Sequence, residues 1–339
     1  MILGKTYLNG IINKLYVGYT LMYSSLIETF KARVLADGGT IDTVAYLNDE
    51  DSSAILIMNP SSYKDGKLYA FKPGDGSGDF SFARASIGTR INKDGLIETM
   101  GNNIARINHT FINGVKSGNP SLLNEGECVN LIPTSAGGIY GNGPGSTSNT
   151  TSPDGTNNAV IPVPDETADR YDFGIASGTY ATDTKMAYSW YRKRITTPFD
   201  TQYTGDLRFR SLVNLTQVGS TTEIESNVSG FDRFESIFNI TDGAASSILR
   251  SYFGYSIGVG NSSIAYFGHQ LEVGTFSSSY IPTNGSAVIR SADVATRDLT
   301  GLGITSITET INGVVQAPIT AILATYTIPN GKIQLVEMS

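Results

Sequence analysis

The sequence predicts a mainly β protein, an antiparallel jelly-roll β-sandwich with an N-terminal helical segment and a small C-terminal β unit. Three observations predict it. Short stretches from residue 186 to residue 273 alternate apolar with polar side chains, the period of a strand with one buried face. Only 16% of the residues are charged while glycine (37) and tyrosine (18) are abundant, which favours short strands and turns over helices with solvated faces. Hairpin signals such as Lys93-Asp94-Gly95 and Asn312-Gly313 separate strand-like runs.

Near the start, Leu8, Ile12, Leu15, Tyr19, Met22, Leu26 and Phe30 recur at the spacing of one helical face, and the helix is expected to end near Ala36. Asp37-Gly38-Gly39 supplies a left-handed stop, and Thr40 is expected to cap a second short helix running toward Leu47. The stripe is close to a heptad seam. Ile12, Leu15, Tyr19, Met22 and Leu26 are therefore the expected oligomerisation residues, with packing on the chain's own domain as the alternative.

Past Asp51, Lys67 to Lys72 and Phe80 to Arg84 read as strands around the glycine-rich turn 73–79. Arg90-Ile-Asn and Leu96-Ile-Glu98 make a hairpin around Lys93-Asp94-Gly95. Residues 133–158 read as a loop, because Pro, Gly, Ser, Thr and Asn dominate. Strands are expected at 186–192, 207–213, 233–239, 247–253 and 263–273, then at 304–311 and 331–336. The expected domains are 1–50 (helical docking and oligomerisation), 51–298 (sandwich) and 299–339 (C-terminal hairpin unit).

The formal charge of −7 argues against a nucleic-acid partner, and Arg192-Lys193-Arg194 reads as a solvated strand end. No stretch is apolar enough to span a bilayer, and no secretion signal is seen, so no membrane partner is expected and synthesis is placed in the cytoplasm. The single cysteine, Cys128, excludes an intrachain disulfide and reads as a small buried hydrophobe in a strand.

A glycosidase would need two carboxyls across a cleft, but Glu223 with Glu225 and the cluster Asp49, Glu50, Asp51 read as solvated positions. Asp75 and Asp79 read as turn chemistry rather than a calcium loop. His269 and Glu272 are three apart and fall on opposite faces of a strand, which disfavours a shared metal. His109 and His269 are the only histidines and no nucleophile elbow surrounds a serine, so serine-hydrolase chemistry is dropped. Trp190 reads as core rather than as a sugar platform. No catalytic, cofactor-binding or metal residue is assigned, no cofactor is expected, and no sugar-binding residue is named.

Several segments together resemble tailed-bacteriophage virion proteins. They are Arg33 to Thr40, Lys67 to Ser86, Thr89 to Glu98, Asn119 to Leu123, Gln270 to Thr283 and Arg290 to Val294. The block Gln270 to Thr283 looks like the closing strand and exit loop of a concanavalin-like lectin jelly roll. Asn124-Glu-Gly-Glu-Cys-Val129 departs from the pattern, which continues with a Glu-Pro turn. The resemblance implies a non-enzymatic fibre or surface decoration of head or tail, located in the virion. It implies other virion proteins as partners, self-association as a homotrimer, and host surface glycans as candidate ligands. The alternative is a polysaccharide depolymerase on the same fold.

Overall fold

The structure is a computed structural model. It describes residues 27–42, 54–136, 147–162, 170–178, 180–194, 207–210, 215–217, 221–240, 247–254 and 264–339. The fold is mainly β, with antiparallel sheets throughout the described residues.

Two sheets enclose the first core. One orders Thr40–Ile41, Ser62–Lys64, Lys67–Leu68, Phe80–Ala83, Val294–Asp298 and Thr325–Thr327. The other orders Val314–Val315, Ile307–Ile311, Gly331–Met338, Val115–Asn124 and Ile107–Ile112, with Leu56–Met58 also on Gly331–Met338. Between them lie Phe80, Phe82, Leu122, Ile333 and Val336, all buried. Phe80 and Phe82 point inward because Ser81 and Ala83 alternate with them on the exposed face.

The segment 299–339, expected as a separate hairpin unit, therefore shares its sheets with residues 56–124, and the boundary drawn at 298 is crossed by paired strands. The physical reason is that Ile333, Val336 and Met338 have too little apolar surface in their own hairpin to bury, and complete the core only against Leu56 and Leu122.

A second six-stranded sheet orders Thr147–Thr150, Ala159–Pro162, Ile264–Val273, Lys185–Arg194, Phe231–Asn239 and Thr221–Val228. A four-stranded sheet orders Arg170–Gly178, Ser247–Gly254, Leu207–Arg210 and Leu215–Gln217. The hairpin Gly88–Ile91/Ile97–Met100 bridges the two regions: Ile91 and Ile97 pack with Tyr191, Phe231 and Phe267 of the second sheet.

Local chemistry explains most turns. The helix spans 27–36 and ends where Gly39 N–H reaches Val34 C=O (2.8 Å) and Gly38 N–H reaches Leu35 C=O (3.0 Å), with Gly38 at φ 73°. Both expected hairpins are present. Gly95 takes φ 77° between the paired Ile91 and Ile97, and Asn312 and Gly313 take φ 53° and 79° between Ile311 and Val314.

Two further expectations fail. Thr40–Ile41 is not a helix start but an edge strand on Tyr63 and Ser62; two β-branched residues after the stop suit an extended chain, and Ile41 packs beside Phe30 and Tyr69. Within the expected loop 133–158, Thr147–Thr150 forms an edge strand on Ala159–Pro162, where a polar strand needs no alternating signal.

The proposed oligomerisation residues Ile12, Leu15, Tyr19, Met22 and Leu26 lie outside the described residues, as do Asp49, Glu50 and Asp51. The stripe's last member, Phe30, is buried with Val34 against Tyr69, so this end of it packs on its own chain. Arg33 secures the helix by donating to Asp79 (2.8 and 3.0 Å) and to Ala70 C=O (2.6 Å).

In the second sheet, Gly268 at φ 67° makes a bulge: Ser189 pairs with Gln270 and Tyr191 with Phe267, leaving two residues opposite Trp190. The bulge puts Phe267 with Tyr191 but His269 with Tyr188, on the other face. Gly268→Ala should cost about 1–2 kcal/mol from the left-handed backbone alone. The added Cβ would also stand 2.9 Å from the Tyr191 ring. Urea unfolding checks this, and an unchanged midpoint would mean the strand relaxes without the bulge.

Candidate functional site

A belt of buried charge lies where the two regions meet. Arg84 and Arg106 have fully buried side chains and both bond Asp293, at 2.9 Å from Arg84. Arg106 also reaches Glu125 at 2.9 Å, and Arg290 binds the same Glu125 oxygen. Three guanidinium groups thus share two carboxylates, and backbone carbonyls take further donors: Gly101 from Arg84 (2.7 Å), Thr89 from Arg106 (3.0 Å) and Gly126 from Arg290 (2.8 Å). Burial would raise the Glu125 carboxyl, but Arg106, Arg290 and the Ser279 hydrogen bonds outweigh it and hold it down to about 2.

The belt holds a loop. Three successive backbone N–H groups each donate to a different glutamate: Ser277 to Glu235 (2.9 Å), Ser278 to Glu272 (2.8 Å) and Ser279 to Glu125 (2.8 Å). Arg233 donates to Ser278 C=O (2.7 Å), and Ile281 N–H to Gln270 (2.6 Å). Thr89 donates its hydroxyl to Tyr280 C=O, and the Tyr280 hydroxyl meets Ser135 at 2.7 Å. A loop secured at almost every residue is pre-organised, and at its tip Phe276 is left 66% exposed.

Beside the loop is a cleft of about 160 Å³ whose walls include Glu235, Phe276, Ser277, Lys332 and Ile224. Its polar groups are of two kinds. Arg90 is committed to Asp42 and Glu98 (2.7 and 2.8 Å), and Glu125 to its arginines. Among the described residues the Lys332 ammonium has no ion-pair partner, and the buried Ser277 hydroxyl has no hydrogen-bond partner.

The residues singled out from sequence fall elsewhere. Trp190 is buried and stacks on Phe234 at 5.8 Å, so it is core as expected. Glu223 and Glu225 lie on one strand with a register shift between them, Glu223 opposite Phe234 and Glu225 opposite Arg233. Arg192 is exposed and lies over the Phe234 ring at 3.9 Å. Cys128 is only half-buried, and burial raises its thiol pKa, away from a thiolate nucleophile.

His269 is fully buried, 2.6 Å from the Tyr188 hydroxyl, and burial lowers its pKa to about 3. Glu272 is buried on the other side with Gln270 and Ser278, and burial raises its carboxyl. His109 meets Asp42 at 3.3 Å. Asp75 caps Ser77 N–H (2.9 Å), while Asp79 is taken by Arg33 and by Ala70 N–H (2.9 Å). Among the described residues no cluster of His, Cys, Asp or Glu could hold a metal ion.

Sequence reasoning assigned no role to Arg84, Arg106, Glu125, Arg290, Asp293 or Phe276. A signal existed for some of them: in a chain poor in charge, Ala83-Arg84-Ala85-Ser86 and Arg290-Ser-Ala-Asp293 set charged residues among small ones, a context for buried ion pairs. No protein-family model and no curated protein matches the chain.

Proposed function

We propose that the chain is a non-enzymatic structural component of a bacteriophage particle, a fibre or surface decoration with a lectin-like jelly roll that meets host glycans. The observation that carries the reading is spatial. Four of the segments that resemble phage virion proteins are far apart in sequence, yet they meet at one seam: Arg84 bonds Asp293 and Thr89 bonds Tyr280. The resemblance thus follows a cooperative structural set rather than scattered surface residues.

The seam's carboxylates support a binding role over the depolymerase alternative. A glycosidase needs a carboxyl poised to give up its proton in contact with substrate. Glu125 is pinned as a carboxylate between arginines, and Glu272, whose pKa is raised, is sealed under Ser278, which leaves Glu235 alone of the three loop-holding glutamates with a free oxygen in the cleft, where a glycosidase needs a pair. Immunogold labelling and mass spectrometry of particles purified from a phage that encodes the chain should find it as a stoichiometric surface component. Recovery only as free protein in the lysate would overturn the virion reading. Reducing ends released from host polysaccharide would overturn the non-enzymatic one.

A further inference from the structure

We infer that the seam cleft beside the Ser277–Ser279 loop is a binding site for one uncharged sugar residue of a glycan, with Phe276 as its stacking platform. The inference rests on the glycan-binding part of the reading above and gives it a place and a ligand class.

Three groups with unused capacity line it: the exposed Phe276 ring, the Lys332 ammonium, and the Glu235 carboxylate, of which one oxygen accepts from Ser277 N–H. Phe276 stacks on no other described ring. A hydroxyl-rich ring uses such a set in full, because its hydroxyls both donate and accept while its C–H face lies on an aromatic. Charged ligands fit worse: an anion meets Glu235, a cation meets Lys332, and the arginines nearby are already paired. The volume, about 160 Å³, is below the roughly 300 Å³ at which drug-sized pockets begin. It suits a single ring with the rest of the glycan outside.

The loop also meets the requirement that a weak ligand not have to order its own site. Its three N–H groups are fixed by Glu235, Glu272 and Glu125 before any ligand arrives, so stacking on Phe276 carries little ordering cost.

The full-length protein should be titrated by calorimetry and saturation-transfer NMR with neutral malto-, chito- and galacto-oligosaccharides, and with oligogalacturonate as the anionic comparison. At least one neutral series should bind, with one sugar residue receiving most of the saturation. Phe276→Ala should weaken it about tenfold. Lys332→Met, which removes an ammonium with no ion pair among the described residues, should weaken it several-fold. Circular dichroism should show both variants folded as wild type.

Failure of every neutral series to bind, tighter binding of oligogalacturonate, or full affinity in Phe276→Ala would each overturn the site. Particle labelling keeps the two readings apart. Labelled particles with no cleft binding remove the site and leave the virion role, whereas cleft binding by a protein absent from particles removes the virion role and leaves the site.

Discussion

Asp293→Ala should lower the unfolding free energy by about 3–5 kcal/mol, the largest single-residue effect expected at the seam. The Asp293 side chain is fully buried and bonds Arg84 and Arg106 while accepting Glu125 N–H at 2.9 Å. Its removal leaves Arg84, Arg106 and Arg290 facing Glu125 as the belt's one remaining carboxylate. Guanidinium groups do not escape by losing their proton, so the cost falls on folding. Urea unfolding should show a lower midpoint. Asp293→Asn, which keeps the shape and part of the hydrogen bonding, should lose less. A loss under about 1 kcal/mol for the alanine variant would mean that water reaches the belt and solvates the arginines.

Acidification from pH 7 to pH 4 should destabilise the protein by about 3 kcal/mol, mostly through His269. Its ordinary pKa of 6.5 falls to about 3 in the fold because burial excludes the charged ring. The stabilisation is therefore complete above pH 6.5 and is lost as pH falls toward 3, where only the unfolded chain takes up the proton. Glu125 adds a second loss in the same direction, from its ordinary 4.5 down to about 2. Glu272 opposes both: burial raises its pKa, so the folded state gains relative stability as it protonates. His269→Gln keeps an acceptor for Tyr188 and removes the titration, so its stability should be nearly flat between pH 6.5 and 4.5. Urea midpoints across this range decide the matter, and an equal slope in wild type and variant would place the acid sensitivity elsewhere.

Turns and strand existence were legible in the sequence because their causes are local. Gly38 after the helix, Gly95 in its hairpin and Asn312-Gly313 each adopt the positive φ that their residue types tolerate. Alternation placed the strands Lys185–Arg194, Phe231–Asn239 and Ile264–Val273, and put Trp190 in the core. The local rules fell short where a strand lacks an apolar face, as at Thr147–Thr150, and where two extended residues follow a helix stop, as at Thr40–Ile41.

The site itself was barely legible. Glu125, Ser279 and Arg290 are ordinary residues in sequence, and their meaning comes from meeting, since a buried carboxylate is tolerable only where cations and N–H groups converge on it. The sequence by itself determined that the chain is β-rich, where it turns and which residues alternate inward, because those depend on backbone sterics and near neighbours. Only the tertiary structure decided that residues 299–339 complete the first sandwich, that Gly268 turns His269 away from Phe267, and that three glutamates from separate segments close on one loop. Strand pairing and charge burial are settled by which distant segments can cover each other's apolar surface and satisfy each other's polar groups.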